Sequence, residues 1–142
     1  MKRHPALVPL SSEHHQGLVW SRKLLDLDDS LTEEEIHSIF DEFKGVWNDE
    51  INPHFRKEEE ILLPLFERTG HATENPVMEM LRQHIVIRAR MFALRDEGAL
   101  QYGMQVGELL KAHIRFEERE LFPFIEQHSD EDLLKRLGEA LE

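Results

Sequence analysis

Fourteen residues of this chain occur twice. Residues 54–67 (HFRKEEEILLPLFE) align without a gap to residues 113–126 (HIRFEERELFPFIE), and seven of the fourteen positions are identical. Each copy opens on His-x-x-x-Glu: His54 with Glu58, and His113 with Glu117. Four residues is just over one helical turn, so both side chains of a pair leave the same face of a helix. That face is also the apolar one. Ile61, Leu62 and Leu65 are expected to continue it below Glu58, and Leu121 and Phe124 below Glu117.

Elsewhere apolar residues recur at three- and four-residue intervals, and no strand-like alternation stands out. The spacing predicts a first helix from Ser12 to about Leu27, capped by Ser11 or Ser12, with Leu18, Val19 and Leu25 inward. A second runs from Thr32, with Glu35 completing a capping box, to about Arg68, disturbed at Pro53 and ended by Gly70. A third starts at Asn75-Pro76, with Asn75 as cap, and stops at Asp96-Glu97-Gly98. A fourth covers about Leu100 to Gln127, and a short fifth Glu131 to Leu141. The connections are short, so neighbouring helices are expected to be antiparallel. The expected fold is all-α: a single domain over residues 1–142, built as an up-down four-helix bundle of two similar hairpins with a short C-terminal fifth helix.

A buried carboxylate is costly unless it is paired or bound to metal, and two facing each other repel. A dication between Glu58 and Glu117 removes both difficulties. Without metal, at least one of the two is expected to take up a proton. The first helix of each hairpin offers one more histidine. In the third helix it is His84. In the first, His15 is favoured over His14, because Leu18 and Val19 place it on the presumed buried stripe. The candidate metal ligands are therefore His15, His54, Glu58, His84, His113 and Glu117, with His14 as the alternative to His15. His4, His37, His71 and His128 read as surface.

Imidazole and carboxylate donors suit iron, manganese or zinc. Two carboxylates can bridge two metals, and the residual positive charge of a dimetal(II) centre favours an oxide or hydroxide between the ions. Six protein ligands do not fill two octahedra, which leaves room for a small ligand. The ferritin-like plan needs Glu-x-x-His on two helices, and here Glu34-x-x-His37 occurs once.

The segments Glu13-His-His-Gln-Gly-Leu18, His54-Phe-Arg-Lys-Glu-Glu59, Gln83-His84 and His113-Ile-Arg-Phe-Glu-Glu118 resemble those of the hemerythrin-like, or HHE cation-binding, family over nearly the whole chain. The resemblance implies an up-down four-helix bundle holding two iron ions with an oxo or hydroxo bridge. Glu58 and Glu117 would be the bridging carboxylates and the four histidines terminal ligands. The chain departs from the family's oxygen carriers in two places. Arg88 stands where they have a further histidine, and Glu117 lies four residues after His113 where they have an aspartate at five.

Composition narrows the remaining choices. With no cysteine, thiolate metal sites and iron–sulfur clusters are excluded. A net charge of -12 with scattered basic residues disfavours nucleic acid. Nothing in the chain reads as a membrane span or a signal peptide, so the cytoplasm is expected. The expected function is a non-haem di-iron protein that binds or senses dioxygen or nitric oxide. The alternative is a di-iron oxidoreductase or stress protein acting in nitric oxide detoxification or iron-centre repair. The sequence favours the non-catalytic reading, and a homodimer is compatible with it.

Overall fold

The computed structural model of the protein describes residues 2–92 and 98–142. Among these residues there is no strand, and five helices follow one another. Helix α1 spans Val8–Leu25. Helix α2 covers residues 33–66, α-helical over Glu33–Val46, Asn52–Lys57 and Leu63–Phe66 and interrupted by π turns at Trp47–Ile51 and Glu58–Leu62. Helix α3 spans Asn75–Phe92. Helix α4 covers residues 99–128, with one π turn at Glu117–Leu121 between Ala99–Phe116 and Phe122–His128. Helix α5 spans Glu131–Leu141. No helix among the described residues is long and apolar enough to cross a membrane.

The helix signals read from the sequence are mostly present. Thr32 and Glu35 form the capping box of α2. Gly70, at φ 79°, ends the 3-10 turn that follows α2, in a conformation that glycine adopts without strain. Two starts differ. α1 begins four residues before Ser12, after a 3-10 turn at Pro5–Leu7. His4 caps that turn through Nδ1, and Pro5 and Pro9 fall in first-turn positions, where a missing N–H costs nothing. Asn75 is the first residue of α3 rather than its cap, and the Glu74 carbonyl accepts from Val77 and Met78. Of the expected stop at Asp96-Glu97-Gly98, Asp96 and Glu97 lie outside the described residues, and Gly98 has a positive φ of 76°.

The π turns have a local cause. Pro53, Pro64 and Pro123 each stand two residues beyond a π turn. A proline ring presses on the carbonyl four residues back, and here those carbonyls (Asp49, Glu60 and Arg119) all lie inside π turns. Each turn closes with a five-residue bond: Asn52 N–H to Trp47 O, Leu63 N–H to Glu58 O, and Phe122 N–H to Glu117 O. The widening also corrects the phase. Residues spaced by four drift about 40° around an α-helix at each step. The added residue of a π turn removes much of that drift, so His54, Glu58, Leu62 and Phe66 all remain inward, as do His113, Glu117, Leu121 and Ile125. The inward residues are therefore Phe66 and Ile125, one place beyond the expected Leu65 and Phe124, which are half-buried.

Packing places the site in mid-bundle. One apolar cluster gathers Leu7, Leu10, Leu62, Phe66, Met80, Leu121 and Phe122 with the leucines of α5. The other gathers Trp20, Leu24, Phe40, Phe43, Trp47, Phe55, Ile87 and Leu110. Along α2 and α4 the histidine–glutamate pairs fall between the two. α1 lies against α4, and α3 lies on α4 as well. The α1–α4 seam is tight: a Cβ on Gly107 would sit 2.9 Å from the Ser21 carbonyl oxygen, and one on Gly17 would sit 2.8 Å from Ile114 Cδ1.

Candidate metal centre

His14, His54, Glu58, His84, His113 and Glu117 are all buried, the two glutamates completely. They form two overlapping groups: His14, His54, Glu58 and Glu117; and Glu58, His84, His113 and Glu117. In each group the four donor atoms lie within 4.8 Å of one another. The expectation for α1 is corrected here: His15 is exposed and His14 takes the inward place. The buried residues of α1 are Leu10, His14, Gly17, Trp20, Ser21 and Leu24, whereas Leu18 is exposed. The close approach of α4 demands small residues among these, so hydrophobicity alone points to the wrong face.

Each glutamate shows one oxygen to each histidine pair. Glu117 Oε1 lies 2.8 Å from His14 Nε2 and 3.7 Å from His54 Nε2. Its Oε2 lies 3.1 Å from His113 Nε2 and 3.6 Å from His84 Nε2. Glu58 Oε2 is 3.5 Å from His54 Nε2, and its Oε1 is 3.1 Å from His84 Nε2. Among the described residues, the buried side-chain atoms without a hydrogen-bond partner include both Glu58 oxygens, Glu117 Oε2 and the Nε2 atoms of His54, His84 and His113. Buried polar atoms are ordinarily satisfied. Orphaned atoms converging from three helices, beside His14 from the fourth, are what a cation would satisfy, and the oxygen and nitrogen donors fit iron, manganese or zinc.

The outward ring nitrogens are all anchored. His14 Nδ1 donates to Glu118 at 2.6 Å, His54 Nδ1 to Glu13 at 2.9 Å, His84 Nδ1 to Glu59 at 2.6 Å and His113 Nδ1 to Gln83 at 2.7 Å. With Nδ1 carrying the proton, a neutral ring turns its Nε2 lone pair inward, the tautomer a metal requires. The carboxylates are themselves held: Glu118 by Arg3 and Ser11, Glu59 by Arg88, and Glu13 by Lys57. Arg88 also donates to Asn52. It therefore supports the partner of His84 instead of supplying a donor of its own.

In the metal-free protein, three of the buried imidazoles hold their protons more tightly than a free ring does. Burial alone would push His14 down, but Glu117 and Glu118 outweigh it and hold the ring up at about 9. Burial is likewise outweighed at His84, where Glu117, Glu58 and Glu59 raise the ring to about 10. His54 is raised well above its ordinary value, because Glu58, Glu117 and Glu13 overcome its burial. Burial favours the neutral form of Glu117, yet His113, His14 and His54 hold it well below the usual carboxylate range. Glu117 is thus ionised, and its charge is balanced by imidazolium.

Sequence reasoning passed over the anchoring residues, although a signal for them was present. Glu59 and Glu118 are the second glutamates of the two His-x-x-x-Glu-Glu copies, and Glu13 and Gln83 each precede a ligand-type histidine. His4, His37, His71 and His128 lie away from the centre; His71 and His128 pack on each other with ring centroids 4.0 Å apart.

Comparison with known families gives the same answer as the geometry. The model of the Hemerythrin HHE cation binding domain matches residues 7–125, and the chain belongs to that family. No significant match was found to a curated protein or to a solved structure.

Proposed function

We propose that this chain is a non-haem di-iron protein that binds or senses a small diatomic ligand, dioxygen or nitric oxide, within a four-helix up-down bundle. The observation that carries the proposal is the division of Glu58 and Glu117, each with one oxygen toward His14 and His54 or His54 alone, and the other toward His84 and His113 or His84 alone. These six residues would hold the ions, with the carboxylates shared between them. Iron bound there would supply one-electron redox chemistry and open positions for a small ligand.

The chain's own residues shape what can reach the centre. Phe55 stacks on His84 and Phe122 on His14, which fixes the ring planes and excludes water from them. A cavity of about 310 Å³ between α1, α2 and α4 reaches His14, His54 and His113 and has Leu110 and Ile114 in its wall. Glu13, Asp49 and Glu50 also line it, with Lys57 paired to Glu13, a net acidic surround that disfavours anions and leaves a neutral diatomic molecule unhindered.

Protein loaded with ferrous iron should respond saturably in its near-ultraviolet and visible absorption to nitric oxide or to dioxygen. His15→Ala should retain that response and His14→Ala should lose it. A loaded protein indifferent to both gases would remove the diatomic-ligand reading. Equal loss in the two variants would remove the assignment of His14.

A further inference from the structure

The four inward histidines are matched across the repeat, but their anchors are not. Glu118 behind His14 corresponds to Glu59 behind His84. Glu13 behind His54 corresponds to Gln83 behind His113. The His14/His54 position is thus backed by two carboxylates, and the His84/His113 position by one carboxylate and one amide.

We propose that this difference makes the two metal positions inequivalent, and that a divalent cation fills the His14/His54 position first and more tightly. The inference rests on the reading that the centre takes two ions. A carboxylate accepting Nδ1–H draws the ring toward imidazolate, which makes Nε2 a stronger donor and adds negative charge near the cation. An amide accepts the same hydrogen bond without the charge. The cations behind the carboxylates do not cancel the effect. Arg3 stands behind Glu118 as Arg88 stands behind Glu59, so those two pairs offset each other. Lys57, behind Glu13, is 40% exposed and Glu13 is 38% exposed, so water screens both, but Glu13 touches the ring nitrogen directly and Lys57 does not. Glu13 is a positioning residue: it acts on the metal through His54.

The test is an anaerobic titration of the metal-free full-length protein with cobalt(II). Visible absorption reports the stoichiometry, and paramagnetically shifted imidazole proton signals report which rings bind first. Changing the partner of a metal-bound histidine typically alters metal affinity by about 10–100-fold. The wild type should show two steps separated by about that factor, with His14 and His54 signals shifting in the first. Gln83→Glu should narrow the gap by tightening the second step, and Glu13→Gln should narrow it by weakening the first. The double swap should reopen the gap in the opposite order, with His84 and His113 shifting first. Unchanged helical content and a cooperative melt of the metal-free variants separate these effects from misfolding, and if one swap fails to fold, the other decides alone. A gap that neither swap moves, or a first equivalent shared by all four rings, would overturn the inference while leaving the dimetal reading intact. Binding of fewer than two cobalt ions per chain would overturn both.

Discussion

His14 donates one ring N–H to Glu118 and the other to Glu117, so in the metal-free protein it serves as a buried cation between two carboxylates. The sign of the resulting pH dependence follows from the shift. A histidine raised from 6.5 to about 9, as His14 is, contributes stability that is complete below 6.5 and lost as pH rises through about 9. His84 extends the loss to about 10. On the acid side, Glu117 and Glu13 are depressed from 4.5, Glu13 to about 2 mainly through its bond to His54, so their contribution is lost as pH falls below 4.5. Metal-free protein should therefore melt at its highest temperature between about 4.5 and 6.5, and at steadily lower temperatures up to pH 10. Metal-loaded protein should lack the alkaline decline, because bound ions replace the protons. Thermal melts of both forms across this range check the expectation, and a metal-free melting temperature that is flat or rising toward pH 10 would contradict it.

At the scale of the helices, the seam between α1 and α4 is set by what is missing from the side chains. Gly107→Ala would press a methyl group against the Ser21 carbonyl at 2.9 Å, and should cost about 1–3 kcal/mol. Gly45, on an exposed part of α2, has nothing within 4 Å of an added Cβ, so Gly45→Ala should gain about 0.5–1 kcal/mol from helix propensity. Chemical denaturation of the two variants reads both values. A neutral Gly107→Ala would show that the seam is looser than described, and a destabilising Gly45→Ala would contradict the open surface described for that part of α2.

The same seam explains which parts of the molecule were legible in the sequence. The repeat revealed His54, Glu58, His113 and Glu117, and by extension His84, because a pattern present twice carries its own check. The inner face of α1 beside His14 was hidden because its next buried position is Gly17, followed by Ser21, and neither carries an apolar signal. Comparing Glu13-His14 with Gln83-His84 would have pointed to His14. The N-terminal turn was hidden for another reason. The expected first helix starts only at Ser12, yet Ala6, Leu7 and Leu10 before it are buried, and the turn packs on α5. The one-residue displacement below each glutamate required π turns, for which Pro64 and Pro123 were the only cue.

At the scale of the whole molecule, two apolar clusters hold six buried donors at the middle of the bundle, and an outer ring of Glu13, Glu59, Gln83 and Glu118 aims the four histidines inward. The fold holds buried donor atoms without hydrogen-bond partners at one place, so metal content reports most directly on whether the donors act together. The decisive measurement is elemental analysis of anaerobically reconstituted wild-type protein and of the Glu58→Gln/Glu117→Gln double variant. The wild type should retain about two metal ions per chain, one for each overlapping donor group, and the double variant well under one with its helical content intact. A wild type that retains one ion or none, or a double variant that retains both, would contradict a centre built on two shared glutamates.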